Sequence, residues 1–242
     1  TEQIHSCMEL CDGYFTSTHT LAGEIRSEFS GKPVVINRNC ASMEMQILSH
    51  DAMEQVEKDR IPIYEKFKNN ELTETHDQDF EVAEEALLEV MKEHPEVRLK
   101  LVGVLSDRKM EKFGNKVEKL PFMDWKQLPA VMAGIDINLM PLEDSIFHCS
   151  KSENKWMEAA LVKVPSVMSR NREMEGVIEN GVDGWLCSDK EEWKKALTTL
   201  IEVKTARVQM GEKAHEKAMR QYVTQNTGKD AREELLCSEK YS

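Results

Sequence analysis

The sequence predicts an α/β protein built on a Rossmann-like parallel sheet with helices on both faces. Strand-like and helical segments alternate from residue 80 to residue 201, which is the pattern of consecutive βαβ units. The strand-like segments are short apolar runs that end near Gly or Pro, as at residues 99–104 and 135–140. Hydrophobic residues make up 40% of the 242-residue chain, which is enough to build a core around such a sheet.

The first 60 residues carry the signals of two strands and two helices. Residues 13–17 are β-prone, and Thr18 can cap a helix over residues 20–29. Residues 34–36 then predict a buried strand, and residues 43–60 predict a helix. Because the first strand lacks a sheet of its own, we expect it to pack poorly, to pair with another chain or to be mobile.

The order of elements becomes clear only after residue 80. Residues 61–79 predict a weak strand at 61–64 and then a loop that contains His76. From Phe80 the apolar spacing is helical as far as Pro95. The remaining predicted elements are strands at 99–104, 117–121, 135–140, 164–168 and 185–187, a helix at 125–133 capped by Asp124, a helix at 152–160 capped by Ser152, and helices at 191–201 and 204–236.

Composition and charge exclude several classes of function. The formal net charge is −12 and there is no Lys/Arg cluster with interleaved aromatic residues, so we expect no nucleic-acid partner. The chain has no apolar run of about 18 residues and no signal peptide, which predicts a cytoplasmic protein. It starts at Thr1 without a Met, which suggests a fragment of a longer protein.

The cysteines and the remaining motifs point to no metal site and no redox or phosphate-loop chemistry. Cys7 and Cys11 lack the second pair that a zinc site needs, so they are interpreted as reduced, buried thiols. There is no GxGxxG or Walker motif, which weighs against a nicotinamide dehydrogenase and a P-loop nucleotidase. No Ser-His-Asp order stands out from chance.

The segment at residues 148–167 is the strongest candidate for a binding site. It follows a predicted strand that ends at Pro141, and parallel sheets bind ligands outside the carboxyl ends of their strands. A helix that starts near Ser152 would offer free amides and a positive dipole end to a diphosphate. Lys151 and Lys155 are four residues apart and add positive charge, while Glu158 could accept hydrogen bonds from ribose hydroxyls. The simpler alternative is a capped helix with solvated lysines.

Several motifs in this order resemble the C-terminal, donor-binding domain of retaining GT-B glycosyltransferases, the glycosyl transferases group 1. Residues 158–167, EAALVKVPSV, are similar to the family's Glu, small-residue stretch and Val-Pro-x-Val strand. Residues 136–142 resemble the strand and loop before that segment, and residues 178–186 resemble the turn after it. Residues 94–103 are similar to the family's helix-to-strand junction. The resemblance covers residues 80–201 well and the flanking residues loosely.

The resemblance implies a site that binds a nucleotide diphosphate sugar as donor substrate, with no cofactor and no metal. It assigns the catalytic role to Glu153 and the donor contacts to a larger group of residues, namely Lys151, Ser152, Asn154, Lys155, Glu158, Pro121, Phe122 and His76. Pro121 and Phe122 would read the base through backbone groups. Residues 61–203 would form the nucleotide-sugar-binding domain, with a remnant of the preceding domain and linker at 1–60 and C-terminal helices at 204–242.

The resemblance also implies partners outside this chain. An N-terminal acceptor domain would complete the full-length protein, so this chain alone is expected to bind donor without turnover. The acceptor is unknown, and the family relationship suggests bacterial cell-surface polysaccharide synthesis and peripheral membrane association.

Two departures from the family pattern support a second hypothesis. Ser150 stands where the family often has its first Glu, although residues 151–155 resemble the Lys-Ser-Glu-x-Lys motif of one branch. Residues 61–79 contain no Gly, whereas the family has a Gly-containing loop near the phosphates; Thr75 and His76 would be its remnant. The alternative is therefore a non-catalytic α/β interaction module that has lost the donor site.

Overall fold

The structure is a computed structural model that describes residues 2–55, 62–66, 74–103 and 109–227, with only the backbone described at 62–66 and 74–78. The helices are α1 Glu2–Glu9, α2 His19–Glu28, α3 Met43–Gln55, α4 Glu74–Glu93, α5 Leu128–Ala133, α6 Ile146–Cys149, α7 Asn154–Leu161, α8 Arg172–Val177, α9 Lys190–Glu202 and α10 Lys204–Gln221. The strands are β1 Tyr14–Thr16, β2 Val34–Ile36, β3 Pro62–Lys66, β4 Arg98–Val102, β5 Val117–Leu120, β6 Ile137–Met140, β7 Ser166–Ser169 and β8 Trp185–Cys187.

The main sheet has six parallel strands in the order β5-β4-β3-β6-β7-β8. The chain builds outward from β3 to β5 on one side and then crosses back to place β6 on the other side. The predicted parallel sheet over residues 80–201 is therefore confirmed, and β3 is added to it. The strand order reverses between β3 and β6, which makes this pair the topological switch point of the sheet.

Helices cover both faces of the main sheet. On one face α4 and α9 pack together over the strands, with the Phe80, Leu87 and Trp193 side chains fully buried. On the other face α5 and α7 contact each other, and Trp156 of α7 is fully buried. Because both faces are covered, the strands β6 and β7 are buried at every residue, whereas the edge strand β5 is not.

The N-terminal elements form a second, smaller sheet. Strand β1 pairs in parallel with β2 and not with the main sheet, and Tyr14, Ala22 and Val34 form a separate small core. The expectation that β1 lies outside the main sheet is confirmed, but the expectation of an unpaired strand is wrong. Thr18 caps α2 through a hydrogen bond from the Leu21 amide, as predicted.

Helix starts account for the clearest errors in the sequence prediction. Helix α4 begins at Glu74, so His76 lies in its first turn and not in a loop. Glu153, not Ser152, is the N-cap residue of α7, and the Ser152 hydroxyl accepts a hydrogen bond from Asn39. Residues 142–151, for which no helix was predicted, contain the short helix α6. The helix predicted at 204–236 ends at Gln221, residues 222–227 are not helical, and the remaining residues lie outside the described part of the chain.

The cysteine interpretation is also partly wrong. Cys7 and Cys11 are exposed free thiols in and just after α1 and not buried ones. Cys187 is the buried cysteine of β8, and burial raises the pKa of its thiol to about 12. Among the described residues, no helix is long and apolar enough to cross a membrane.

Candidate functional site

The candidate site lies at the switch point of the main sheet. Strand β6 ends at Met140, and the segment of residues 141–153, here called the switch-point loop, leads from it into α7. Helix α4 follows the neighbouring strand β3, so the first turns of α4 and α7 flank the same carboxyl edge of the sheet. Both helices point the positive ends of their dipoles toward this edge.

The start of α7 is anchored from the segment that follows β2. The Asn39 side-chain amide donates to the Ser152 hydroxyl at 2.8 Å. The carboxylate of the N-cap residue, Glu153, makes no capping hydrogen bond to the helix. The Glu153 side chain therefore accepts no hydrogen bond from the first amides of α7. Helix amides that are not capped in this way favour the binding of an anion.

Glu153 points into the protein instead. Its side chain is 1% exposed, and its Oε1 atom accepts a hydrogen bond from Arg38 Nη1 at 2.9 Å. Burial opposes the charge of Arg38, but the neighbouring Tyr222, Glu153 and Glu173 together raise its pKa. Burial, followed by the charge of Glu153, also raises the pKa of Tyr222. Glu153 is thus the inner half of a buried ion pair beside a protonated phenol.

A second polar cluster joins α4 to the switch-point loop. Asp79 of α4 is 5% exposed, and its Oδ1 atom accepts a hydrogen bond from the Glu143 amide at 2.9 Å. His148 Nε2 lies 3.2 Å from the same oxygen, with its N–H direction not aligned for a hydrogen bond. Lys151 Nζ lies 3.4 Å from the other oxygen, Oδ2. One buried carboxylate therefore contacts three positions of the loop.

The rest of this cluster fixes His148 and Lys151. The Ser145 hydroxyl accepts a hydrogen bond from the His148 amide and lies 2.8 Å from Nδ1 of the same residue. Burial lowers the pKa of His148, so its ring is neutral at pH 7. The Lys151 ammonium lies 5.2 Å from the centre of the Phe147 ring, which is an exposed side chain. The Lys151 ammonium therefore lies near the surface, between a carboxylate and an aromatic ring.

The predicted binding residues on α7 share its half-buried side. Asn154 is the first residue of the helix, Lys155 the second and Glu158 the fifth, and all three are half-buried. Glu158 lies about 6 Å beyond Asn154 along the axis, at about 1.5 Å per residue. The Lys155 carbonyl accepts from Asn138 of β6 at 3.3 Å, which fixes the first turn of α7 against the sheet.

Three predicted residues lie apart from this group. Pro121 and Phe122 follow β5 at the edge of the sheet, and both are exposed. Their strand is three strand spacings from β6, or about 14 Å. His76 is in the first turn of α4, at the switch point, but its side chain is outside the described part of the structure.

Sequence reasoning missed Arg38, Asp79 and His148. Arg38 follows the predicted strand at 34–36, Asp79 lies in the predicted loop before Phe80, and His148 begins the candidate segment, but no sequence pattern gave any of them a role. A signal did exist for Asp79, since it belongs to the polar run THDQD directly before the apolar helix residues. Within the described ranges, no group of three or more His, Cys, Asp or Glu side chains is arranged to hold a metal ion.

Comparison with protein families gives a match over more than half of the chain. The profile described as "Glycosyl transferases group 1" matches residues 72–203, which include β4–β8 and the switch-point loop. A search of curated proteins found no match.

Solved structures share the fold at low sequence identity. HepE from Anabaena, solved in complex with UDP-glucose, is 15% identical with a TM-score of 0.69; the match covers 98% of this chain and 67% of HepE. A TarM mutant from S. aureus, in complex with fondaparinux, alpha-GlcNAc-glycerol and UDP, is 14% identical with a TM-score of 0.68; the match covers 98% of this chain and 45% of TarM. These glycosyltransferases have the GT-B fold, and the chain spans less than half of TarM.

A shorter structure also shares the fold. The C-terminal domain of LpcC, a glycosyl transferase group 1 family protein from Francisella tularensis, is 14% identical with a TM-score of 0.52. The match covers 77% of this chain and 96% of that domain. At these identities the three structures establish the α/β fold and no more.

Proposed function

Because the chain belongs to the glycosyl transferases group 1 family, we propose that it is the donor-binding part of a glycosyltransferase. It would bind a nucleotide diphosphate sugar, from which the whole enzyme transfers the sugar to an acceptor. The observation that carries the proposal is the start of α7 at the switch point, with Lys151 three residues before the helix and Lys155 as its second residue.

The diphosphate would bind at the N-terminus of α7. The amides of its first turn and the helix dipole favour an anion there, and Lys151 and Lys155 add two positive charges. Ser152 and Asn154 flank these amides. Glu158 is about 6 Å further along the axis, roughly the span from a diphosphate to a ribose, and its carboxylate would accept the ribose hydroxyls.

Other predicted contacts extend this site in two directions. Pro121 and Phe122 offer an exposed ring and backbone groups for the base, and His76 starts a helix at the same switch point. Complexes of HepE with UDP-glucose and of TarM with UDP support a nucleotide-sugar ligand in this fold.

The catalytic role of Glu153 stays a prediction. Its carboxylate is buried against Arg38 in the ligand-free protein, so direct contact with a sugar requires that this pair separates. As it stands, Glu153 would hold the start of α7 in place and act on the donor indirectly.

The whole enzyme is proposed to be of the retaining type, with this chain as its C-terminal half. Support comes from the coverage of the LpcC C-terminal domain and from the 45% coverage of TarM. Chemistry in a cleft between two halves would need the acceptor-binding half as well, so this chain alone would bind donor without turnover. WaaG, another protein with this fold, is a glycosyltransferase involved in lipopolysaccharide biosynthesis, which is consistent with a cytoplasmic, peripheral membrane role in cell-surface polysaccharide synthesis.

One observation favours the alternative of a non-catalytic interaction module. Ser150 stands in place of the family's first Glu, and its backbone carbonyl is bonded to the Thr18 hydroxyl at 3.3 Å. In this alternative the loop serves as a contact between the two sheets instead of a sugar site.

Isothermal titration calorimetry of the chain with UDP, GDP and ADP separates the two functions. The donor-binding proposal predicts a Kd in the micromolar range for one nucleoside diphosphate, with clearly weaker binding of the matching nucleoside. A folded chain that binds none of the three would contradict the proposal and leave the interaction module.

A further inference from the structure

Asp79 is a buried carboxylate that is not among the proposed contacts with the donor. A carboxylate at 5% exposure is costly unless charged and hydrogen-bonding partners surround it. Asp79 has the Glu143 amide, the His148 ring and the Lys151 ammonium around it, all three from the switch-point loop. The loop is thereby tied to α4, a helix on the other side of the switch point.

The two oxygen atoms of the Asp79 carboxylate make different contacts. Its Oδ1 atom holds the backbone at Glu143 and faces the neutral ring of His148, so this side fixes the path of the loop. Its Oδ2 atom faces Lys151 at 3.4 Å, so this side fixes the direction of a long, flexible ammonium side chain. Holding such a side chain in one orientation before the ligand arrives removes part of the entropy cost of binding.

Lys151 is held without being taken out of reach. Its side chain keeps 32% of its exposure, and its ammonium lies beside the exposed Phe147 ring. It is three residues before Asn154, the first residue of α7. A diphosphate at the start of α7 can therefore contact the outer side of an ammonium whose inner side is held by Asp79.

We propose that Asp79 is a positioning residue for nucleotide-diphosphate binding, which acts by orienting Lys151 and the switch-point loop. The inference rests on the proposed function and adds a residue that touches no part of the ligand. Two effects of Asp79 oppose each other: its negative charge repels a diphosphate, while its contacts orient Lys151. The proposal states that orientation outweighs repulsion.

A double-mutant cycle tests the proposal by calorimetry with whichever of UDP, GDP and ADP the wild-type chain binds. Asp79→Asn keeps the shape and removes the charge that faces Lys151, so we expect a Kd about tenfold weaker, the usual size of one charge-assisted contact. In a Lys151→Met background the orientation effect has no target, so the same substitution should leave the Kd unchanged or slightly tighter. Affinity for the matching nucleoside should be unchanged throughout.

Glu84→Gln is the matched control variant. Glu84 lies on the same helix α4, is also 5% exposed and is also paired with a lysine, Lys109. The substitution removes the charge of a buried carboxylate that is paired with a lysine away from the switch-point loop. It should therefore lower the melting temperature without changing the Kd for the nucleoside diphosphate. If Asp79→Asn does not fold, Asp79→Glu carries the test: it keeps the charge but moves the carboxylate by one methylene, and it should also weaken binding.

The outcomes separate the inference from the proposed function. If Asp79→Asn binds as tightly as wild type, or loses the same factor with and without Lys151, Asp79 is only a structural or repulsive charge and the inference is wrong. If the wild type binds no nucleoside diphosphate, or Lys151→Met keeps full affinity, the proposed diphosphate site fails and the inference fails with it.

Discussion

At the scale of single residues, the buried pair of Arg38 and Glu153 is expected to contribute to stability. The Glu153 side chain is 1% exposed and that of Arg38 is 25% exposed, so the charges are partly removed from water and depend on each other. Removing one member of a buried pair leaves the other uncompensated. The ion pair therefore stabilises the fold mainly because each charge offsets the desolvation cost of the other. This effect requires both charges to be present.

Glu153→Gln should lower the free energy of unfolding by about 2 kcal/mol, less than for a fully buried pair because Arg38 can partly rehydrate. Urea denaturation monitored by circular dichroism measures this change. Glu175→Gln is the control, because the Arg170–Glu175 pair is largely exposed and should contribute about 0.5 kcal/mol or less. Equal stability of the Glu153 variant and wild type would contradict the structural role.

At the scale of elements, the contact of α10 with the end of α7 leaves no room for a side chain. A Cβ atom on Gly211 would lie 2.0 Å from the carbonyl oxygen of Lys163, just after α7. Lys163 itself has a φ of 59°, so its backbone is already in a conformation that few non-glycine residues adopt. The carbonyl cannot easily move, and α10 would have to shift instead.

Gly211→Ala should therefore destabilise the chain by about 1–3 kcal/mol, the usual cost of overpacking. Gly23→Ala on α2 is the matched control, because a Cβ there meets nothing within 4 Å. It should be stabilising by about 0.5–1 kcal/mol, since alanine favours the helix. Thermal unfolding of both variants measures the difference, and a Gly211 variant as stable as wild type would show that α10 does not pack as described.

Elements with local signals could be predicted from the sequence, and elements held by distant contacts could not. The strand at 34–36 and the cap Thr18 are predicted correctly because apolar runs and capping side chains are local features, and Asp124 caps a 3₁₀ turn, Trp125–Gln127, just before α5. The N-cap of α7 was not predicted, because the local pattern favours Ser152, whereas the helix begins one residue later and the Ser152 hydroxyl accepts a hydrogen bond from Asn39, which is 113 residues away. The first turn of α4 was missed because its residues, including Asp77, are polar and typical of turns.

At the scale of the whole molecule, the small sheet is joined to the main sheet at the start of α2. The Glu173 carboxylate of α8, 3% exposed, accepts hydrogen bonds from the His19 and Thr20 amides at 3.2 and 2.9 Å. The carboxylate therefore occupies the anion position of that helix N-terminus.

The candidate site was predictable only in its local part: residues 151–158 form one segment, whereas Arg38 and Asp79 reach it across 115 and 72 residues.

The central claim is that the start of α7 binds a nucleoside diphosphate, and calorimetry of two site variants tests it most directly. Lys155→Ala should weaken diphosphate binding about tenfold and leave nucleoside binding unchanged, because the proposed contact of Lys155 is with the phosphates and not with the nucleoside. Glu158→Gln should weaken the binding of both the diphosphate and the nucleoside, because it removes a carboxylate that would accept hydrogen bonds from the ribose hydroxyls. Lys204→Ala, which removes an exposed lysine at the start of α10, should change neither. If both site variants bind the nucleoside diphosphate as tightly as wild type, α7 is a core helix without a ligand and the claim is wrong.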